Sequence, residues 1–379
     1  MENLFDALFE DTLVLPELAS VARKIRDSQR ISPDEGELLY AKAETAWLGA
    51  LANHVRERIN DSYTYYNRNI HIEPTNICIY NCTFCSYNQH HSGSSWELTL
   101  DDMLCTIDAT DDNITEVHIV GGVHPDRDLH YYGKLVNAIK QHRPGVHIKA
   151  FTAIELDFMI RKSGMTLNEG LSALKEYGLD SIPGGGAEIF DEAVRKVICG
   201  TKSDSNLWLE IHRAAHLLGI PSNATMLYGH VENYSHRIDH LERLRQLQDE
   251  TGGFNAFIPL KFRNKNNELS WVNEASVVED LRNYAVSRIY LDNIPHLKAY
   301  WPMIGKEVAA LSLAFGVDDL DGTINDTTKI YSMAGADDTS PAMSSAGLEE
   351  LIIKSGRIPV ERDSLYNSIK VTENLGMAL

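Results

Sequence analysis

The chain has 379 residues, enough for one large domain or several small ones, and 35 basic against 54 acidic side chains give a net charge of -19. A surface with this excess of negative charge repels nucleic acid phosphates and anionic lipids, so we expect no nucleic acid and no membrane among its partners. The N-terminal stretch MENLFDALFEDTLVLPELAS lacks the basic flank and the unbroken apolar run of a signal peptide, which favours a soluble, cytoplasmic protein.

Residues 1–62 are predicted to form an N-terminal helical extension. Ser32 is placed as an N-cap, Pro33 occupies the first helical position, and Glu35 completes a capping box. Further along, apolar residues recur at helical spacing at Leu48, Leu51, Ala52, Val55 and Ile59. These helices are expected to pack against the rest of the protein and to carry no chemistry.

From residue 63 to 322, short β-rich runs alternate with amphipathic stretches of helical length. The predicted strands are residues 69–75, 115–122, 146–152, 179–185, 221–229, 255–262, 287–293 and 316–323. Successive β-α units without a linker rich in Pro, Gly or Ser favour one α/β domain, a (β/α)8 TIM-type barrel, over several small domains. A doubly wound open sheet is the alternative. Residues 323–379 are predicted to form a C-terminal segment that caps one end of the barrel.

The chain has five cysteines, of which three are clustered. Cys105 and Cys199 stand alone in apolar or mixed surroundings and are expected to be small buried hydrophobic residues. In a reducing cytosol, a cluster of cysteines is more often metal-binding or catalytic than part of a disulfide framework.

The clustered cysteines follow the spacing C-x3-C-x2-C at Cys78, Cys82 and Cys85, directly after the first predicted strand. A structural zinc site needs four protein ligands, and His90 or His91 is available as the fourth. An iron-sulfur electron carrier also fills all its iron positions with cysteine. Three thiolates on a four-iron cluster leave one iron open to bind and activate a ligand. The three hypotheses therefore differ in the fourth ligand: a histidine for structural zinc, a cysteine for an electron carrier, and a bound small molecule for a four-iron cluster with one open iron.

This cysteine motif, with the aromatic Phe84 before its last member, resembles the signature of the radical S-adenosylmethionine (SAM) superfamily. The resemblance implies that Cys78, Cys82 and Cys85 hold a 4Fe-4S cluster whose open iron binds the amino and carboxylate groups of SAM. It further implies one-electron cleavage of SAM to methionine and a 5'-deoxyadenosyl radical. A reductant such as flavodoxin or ferredoxin would supply the electron.

The sequence VGG at 120–122 resembles the glycine-rich second-strand motif of the same superfamily. Gly121 and Gly122 would let the backbone approach the methionine part of SAM, because glycine has no Cβ. An acidic residue often follows these glycines in the family, whereas this chain has Val123 and His124. A carboxylate contact from this loop to the SAM amino group is therefore not expected.

Three further residues stand where strand ends would contact SAM. Glu188 follows the fourth predicted strand and is placed to accept hydrogen bonds from ribose hydroxyls, while Asn223 and Thr225 alternate along the fifth strand and point to one face. The alternative is structural: GGG at 184–186 forms a strand-to-helix turn, and Glu188 favours the following helix N-terminus.

Strings along residues 50–366 are similar to one branch of the superfamily, which holds the aminofutalosine synthases, the dehypoxanthine futalosine cyclases and the enzymes that form the deazaflavin of coenzyme F420. KAFTAIE, SIPGGGAEIF, FIPLKF and DDLDGT most resemble the synthases, while the cyclase pattern has Trp where this chain has Leu260. The synthase resemblance implies a transferase of menaquinone biosynthesis that adds the 5'-deoxyadenosyl radical to 3-[(1-carboxyvinyl)oxy]benzoate. The hydrogen-abstracting cyclases and deazaflavin-forming enzymes are the alternative.

A dicarboxylate substrate requires cationic partners, since charge-assisted hydrogen bonds hold carboxylates efficiently. The candidate catalytic residues are Lys149 on the third predicted strand, Lys261 and Arg263 at the end of the sixth, Arg288 on the seventh and His296 just beyond it. Alternatively, Lys261 and Arg263 begin a solvated loop.

Radical intermediates also need walls that exclude water and stray hydrogen donors. The aromatic candidates for such walls are Tyr228, Phe257, Tyr290 and Tyr300, although aromatic residues at such positions are more often plain core. His118 on the second predicted strand is interpreted as a core histidine with satisfied hydrogen bonds.

Overall fold

The structure is a computed structural model that describes residues 15–110, 113–322, 329–336 and 341–372. The start of the predicted N-terminal extension and parts of the predicted capping segment lie outside these residues. Three helices open the described chain: α1 (Pro16–Arg26), α2 (Pro33–Lys42) and α3 (Thr45–Asn60). The predicted capping box is confirmed, because the Ser32 hydroxyl accepts the Glu35 N–H and the Glu35 carboxylate accepts the Ser32 N–H.

The strands of the described chain are β1 (Tyr63–Tyr66), β2 (Asn69–Ile72), β3 (Glu116–Ile119), β4 (His147–Ala150), β5 (Ser222–Tyr228), β6 (Phe254–Lys261), β7 (His296–Ala299), β8 (Asp319–Leu320), β9 (Ile358–Arg362) and β10 (Ser368–Val371). The remaining helices are α4 (Gln89–Ser92), α5 (Leu100–Asp108), α6 (Leu129–His142), α7 (Ala153–Lys162), α8 (Leu167–Tyr177), α9 (Glu192–Cys199), α10 (Ser205–Leu217), α11 (Tyr234–Thr251), α12 (Val277–Tyr290), α13 (Trp301–Ile304), α14 (Lys306–Ser312), α15 (Ile330–Met333) and α16 (Ser345–Lys354).

Parallel pairing follows chain order around the sheet. β2 pairs with β3 and β3 with β4, residues 181 and 182 bridge β4 to β5, and β5 to β8 then pair in succession. β8 pairs in turn with β1, which lies just before β2 in the same segment, 63–72. A doubly wound sheet would reverse its strand order at a switch point. The chain-order pairing therefore confirms the predicted α/β barrel class and argues against the open-sheet alternative.

Two predicted strands differ from the structure. Of the predicted fourth strand, 179–185, only Ser181 and Ile182 make isolated bridges, and the predicted seventh strand is wrong. Residues 287–293 were expected to form the seventh strand, but α12 continues to Tyr290 and the strand is β7, which begins at His296. The C-terminal half of α12 is buried on every side, from Asn283 to Tyr290. A helix with no exposed face loses the periodic pattern that separates it from a buried strand, and the Ile-Tyr pair favoured β.

Strands β1, β9 and β10 were not predicted. β9 pairs parallel with β1, and β10 pairs antiparallel with β9, so this part of the C-terminal segment extends the sheet. The predicted bounds of 1–62, 63–322 and 323–379 as separate units stay a prediction. No helix of the described ranges is both long and apolar enough to cross a membrane.

The two isolated cysteines differ in their surroundings. Cys199 is buried, as expected, whereas Cys105 is exposed, so the prediction for Cys105 is wrong. Cys105 lies on α5, whose buried residues are Met103 and Ile107, and it faces away from both.

Candidate active site

A cavity of about 280 Å³ opens at the carboxyl ends of the barrel strands. Cys78, Cys82 and Cys85 all line it, because the loop that carries them leaves the end of β2 and turns over the barrel mouth. This end of a parallel barrel is where active sites form.

Cysteine burial shows what this loop requires. Burial raises the pKa of the Cys82 and Cys85 thiols, since a thiolate in low dielectric is unfavourable without a compensating cation. Iron in a cluster supplies such positive charge and binds one thiolate per iron. Within the described residues, no group of three or more His, Cys, Asp or Glu side chains could hold a metal ion as arranged. The fit to a 4Fe-4S cluster therefore rests on the three thiols and their place at the cavity, not on a preformed ligand geometry.

Gly121 and Gly122 lie against the backbone that leads into the cysteine loop. A Cβ at 122 would lie 2.4 Å from the Ile77 carbonyl oxygen, and one at 121 would lie 2.9 Å from the Thr75 carbonyl oxygen. The Gly122 N–H donates to Thr75 O at 2.7 Å. These glycines thus allow the β3 loop to pack directly on the segment before Cys78, and both line the cavity.

Phe84, Glu188, Asn223 and Thr225 also line the cavity. The Thr225 hydroxyl donates to the Gly184 carbonyl at 2.7 Å, so it holds the triple-glycine turn as well as facing the cavity. Glu188 has a positive φ of 48°, a backbone conformation that non-glycine residues adopt at a cost and that clusters at functional sites. The four residues therefore line one cavity with the cysteines, and their contacts with SAM stay a prediction.

Lys202, which was not predicted from the sequence, joins this group from the loop after α9. Its ammonium lies 2.6 Å from a Glu188 carboxylate oxygen and 5.2 Å from the centre of the Phe84 ring. Burial alone would lower the pKa of Lys202, but the neighbouring Cys82 and Glu188 raise it well above its usual range. A fixed positive charge therefore stands beside the cysteine loop. No sequence signal marks it, because it lies in a short polar loop, TKSDS.

Lys261 and Arg263 line the cavity at the end of β6, as predicted. Lys261 is 7% exposed and its ammonium lies 2.8 Å from an Asp280 carboxylate oxygen, so the solvated-loop alternative is wrong for this residue. Arg263 donates to the Gly335 carbonyl at 2.8 Å, which ties β6 to the segment 329–336 that covers part of the cavity.

Arg288 and His296 do not line the cavity, so their placement among the site cations is wrong. Arg288 lies near the end of α12 and donates to the Gly316 carbonyl at 2.9 Å, with its guanidinium paired to Asp318. His296 is the first residue of β7, at the amino end of the strand, and its Nδ1 lies 2.6 Å from an Asp318 oxygen. Both face the end of the barrel opposite to the cysteine loop.

Of the predicted aromatic walls, Tyr300 lines the cavity, while Tyr228, Phe257 and Tyr290 are core residues that do not. Aliphatic residues form much of the rest of the apolar wall, with Ile154, Leu227, Ile258, Leu260 and Met303 among them, and Phe262 adds a further aromatic ring. His118 also lines the cavity, and its Nε2 atom is shielded from solvent and has no hydrogen-bond partner among the described residues. The interpretation of His118 as a satisfied core histidine is therefore wrong.

A layer of charged side chains forms the floor of the cavity. Lys149, as predicted, lies here, with its ammonium 2.7 Å from a Glu116 oxygen; the other ion pair, Lys298 with Asp321 at 2.9 Å, was missed. Lys298 was not predicted because the seventh strand was expected at 287–293, whereas the strand HLKA spans His296–Ala299. A lysine within an otherwise apolar strand was the available signal.

The segment 329–336 covers the cavity from the C-terminal part of the chain. Ile330 and Ala334 line the cavity, and the Glu73 carboxylate accepts the backbone N–H groups of Lys329 and Ile330 at 3.0 to 3.4 Å. The Lys329 ammonium lies 4.6 Å from the centre of the Trp96 ring. Described residues beyond 322 therefore complete the wall of the cavity.

Comparison with known proteins agrees with this geometry. The family model Radical SAM superfamily matches residues 72–244, and the model CofH/MqnC C-terminal region matches residues 251–375. The fold is similar to the X-ray structure of the FeFe-hydrogenase maturase HydG from Carboxydothermus hydrogenoformans, with a TM-score of 0.73 at 17% identity over 96% of this chain and 83% of that one.

Curated relatives cover nearly the whole chain. An aminodeoxyfutalosine synthase of Thermus thermophilus is 44% identical over 95% of this chain and 98% of its own length. A 5-amino-6-(D-ribitylamino)uracil–L-tyrosine 4-hydroxyphenyl transferase of Archaeoglobus fulgidus is 40% identical over 82% and 90%. A cyclic dehypoxanthine futalosine synthase of Streptomyces coelicolor is 37% identical over 91% and 87%. The chain therefore belongs to the radical SAM superfamily, in the group that shares the CofH/MqnC C-terminal region.

Proposed function

We propose that the protein is an aminodeoxyfutalosine synthase. In this reaction the 5'-deoxyadenosyl radical from SAM adds to the enol-ether double bond of 3-[(1-carboxyvinyl)oxy]benzoate. The adduct rearranges onto the arene, and loss of the carboxylate as bicarbonate gives 6-amino-6-deoxyfutalosine. SAM is consumed as a substrate, and the product belongs to menaquinone biosynthesis.

The observation that carries this proposal is 44% identity to a synthase over 95% of the chain, with the three-cysteine loop at the mouth of a cavity at the carboxyl ends of the barrel strands. Identity to the cyclic dehypoxanthine futalosine synthase is lower, at 37%. Leu260, the position at which the cyclase pattern has Trp, lines the cavity. The residue that separates the two patterns therefore touches the space in which substrate would bind.

Cys78, Cys82 and Cys85 would hold the 4Fe-4S cluster. When bound there, the cluster would supply one electron to the sulfonium of SAM and bind the amino acid part of SAM at its open iron. The positive charge of Lys202 lies beside Cys82 and Cys85 and opposes the effect of burial, which raises the pKa of both thiols. A protein such as flavodoxin or ferredoxin is the proposed electron donor.

Around SAM, the chain supplies positioning and exclusion of water. Gly121 and Gly122 line the cavity beside the proposed methionine site and let the β3 loop pack against the backbone before Cys78, while Glu188 and Asn223 offer a carboxylate and an amide to the ribose hydroxyls. The Lys202 ammonium donates to the Glu188 carboxylate at 2.6 Å, which fixes the position of that acceptor.

For the second substrate, Lys261 and Arg263 offer cationic donors at the end of β6. Asp280 fixes the position of the Lys261 side chain. Its carboxylate accepts a hydrogen bond from the Lys261 ammonium at 2.8 Å and another from the Tyr228 hydroxyl at 2.9 Å. Because both cations stand beside the apolar wall that includes Leu260, an enol-ether carboxylate bound here would keep its double bond in an apolar space.

A competition assay tests the proposal. The anaerobically reconstituted protein receives dithionite, SAM and equal amounts of 3-[(1-carboxyvinyl)oxy]benzoate and dehypoxanthine futalosine, and mass spectrometry follows both. We expect the benzoate to disappear and an adduct with the deoxyadenosyl group to form, while dehypoxanthine futalosine is unchanged. Consumption of dehypoxanthine futalosine with release of 5'-deoxyadenosine would establish the cyclase instead.

A further inference from the structure

The floor of the cavity is a layer of basic side chains that the cysteine motif does not explain. His71, His118 and Lys149 lie at the same register on β2, β3 and β4, so their side chains point to the same face of the sheet. Lys298 on β7 completes the set across the barrel, and all four line the cavity. We call these four residues the basic layer.

Charged residues are an unusual filling for this part of a barrel. The interior layers of such barrels are normally filled by Val, Ile and Leu. Lys149 is 4% exposed and Lys298 is 3% exposed, and buried ion pairs are often less stabilising than apolar residues of similar volume. Charges kept in a barrel interior, at the bottom of a ligand cavity, therefore indicate a binding role.

The layer retains capacity for an acceptor. Lys149 donates to Glu116 at 2.7 Å and Lys298 to Asp321 at 2.9 Å, and each ammonium has three N–H donors. His118 lies in register with His71 and Lys149 on the neighbouring strands, and its buried Nε2 has no partner among the described residues. The His118 and His71 rings are 4.7 Å apart. A planar anion between these groups would satisfy the orphaned nitrogen and receive charge-assisted hydrogen bonds.

We propose that the basic layer binds the ring carboxylate of the aryl substrate. This inference rests on the proposed function. The vinyl group must face the cysteine loop, where the radical forms, so the carboxylate on the far side of the ring points toward the barrel floor. The layer lies within the strands, while Cys78 lies beyond the end of β2, and one cavity joins them.

Direct binding of matched probes tests the subsite without turnover. In the cluster-loaded protein with SAM and no reductant, calorimetry compares 3-methoxybenzoate with its neutral amide, 3-methoxybenzamide. The wild type is expected to bind the benzoate about 10- to 100-fold more tightly, the range of a hydrogen bond to a charged group. The K298M/D321N variant removes the Lys298–Asp321 ion pair and one of the two lysines of the layer, and its preference for the benzoate over the amide is expected to fall well below that of the wild type.

Two further variants keep the test decisive. K140M/D180N removes a Lys–Asp pair of 2.6 Å that does not line the cavity, so it should keep the wild-type preference. His118→Leu removes the unpartnered nitrogen without breaking an ion pair. It should weaken binding of the benzoate and leave binding of the benzamide unchanged, and it supplies a test if K298M/D321N does not fold. Wild-type preference in folded K298M/D321N or in His118→Leu would overturn the proposal.

Failure of the subsite and failure of the proposed function give different results. If the protein forms the adenosylated product and K298M/D321N leaves the KM for the benzoate unchanged, the subsite is refuted while the function stands. If no such product forms but benzoate binding depends on Lys298 and His118, the function is refuted and the floor is still a carboxylate site.

Discussion

Replacement of Gly122 by Ala tests how the glycine motif positions the cysteine loop. The added Cβ would lie 2.4 Å from the Ile77 carbonyl oxygen, 2.8 Å from the Ile77 carbonyl carbon and 3.0 Å from the Asn76 carbonyl carbon. All three contacts are backbone atoms directly before Cys78, so no side chain can rotate away. The segment must move by roughly 1 Å to restore ordinary contact distances.

The energetic cost of this movement follows from overpacking, which typically destabilises a protein by about 1 to 3 kcal/mol. For a protein of this size we expect the Tm to fall by a few degrees. Because Cys78 moves with the segment, the three thiols no longer suit one cluster, and iron and sulfide retained after anaerobic reconstitution should fall well below the wild-type content.

Gly145→Ala is the matched control, since nothing lies within 4 Å of a Cβ at that position and its φ is not positive. It should retain the wild-type Tm and iron content. If Gly122→Ala matched Gly145→Ala in both measurements, the claim that this glycine sets the position of the cysteine loop would be wrong.

The remaining predictions concern metal content, pH and cavity shape. Cys82→Ser should abolish iron binding, whereas Cys199→Ser should leave the iron content unchanged, as measured by elemental analysis. Burial raises the pKa of Glu155 to about 7, so the folded state binds more protons than the unfolded state between about pH 4.5 and 7, and this carboxyl makes stability fall as pH rises. The loss of thermal stability from pH 5 to pH 7.5 should therefore be smaller in Glu155→Gln; an unchanged pH dependence would refute the shift. Glu169→Gln should not reduce that loss, because exposed Glu169 makes the same kind of capping box with a lowered pKa. Leu260→Trp should lower kcat/KM for the benzoate at least tenfold by filling the cavity, and unchanged kinetics would show that Leu260 does not face the substrate.

Much of the site was predictable because it depends on local sequence. The C-x3-C-x2-C motif follows β2, the VGG turn follows β3, and Glu188 follows the bridge residues Ser181 and Ile182. Because parallel chain segments end at one edge of the barrel, locating these three ends was enough to bring Cys78, Gly122 and Glu188 to one cavity.

The cationic residues of the site were harder to predict, because their placement depends on the correct assignment of each strand. Arg288 was placed in the site only through the misplaced seventh strand, and Lys298 was missed for the same reason. Lys202 does not lie on a strand; it reaches the cysteine loop from the loop after α9. Long-range contacts of this kind leave no periodic signal in a single sequence.

The central claim is that the radical adds to the substrate and does not abstract hydrogen. The most direct measurement uses SAM labelled with ¹³C at C5' and 3-[(1-carboxyvinyl)oxy]benzoate labelled with ¹³C at the vinyl CH₂ carbon, followed by ¹³C NMR of the reaction products. The proposed function predicts a one-bond coupling between the two labels, because a new C–C bond joins them. A C5' label found only in the methyl group of 5'-deoxyadenosine, with no coupling, would contradict it.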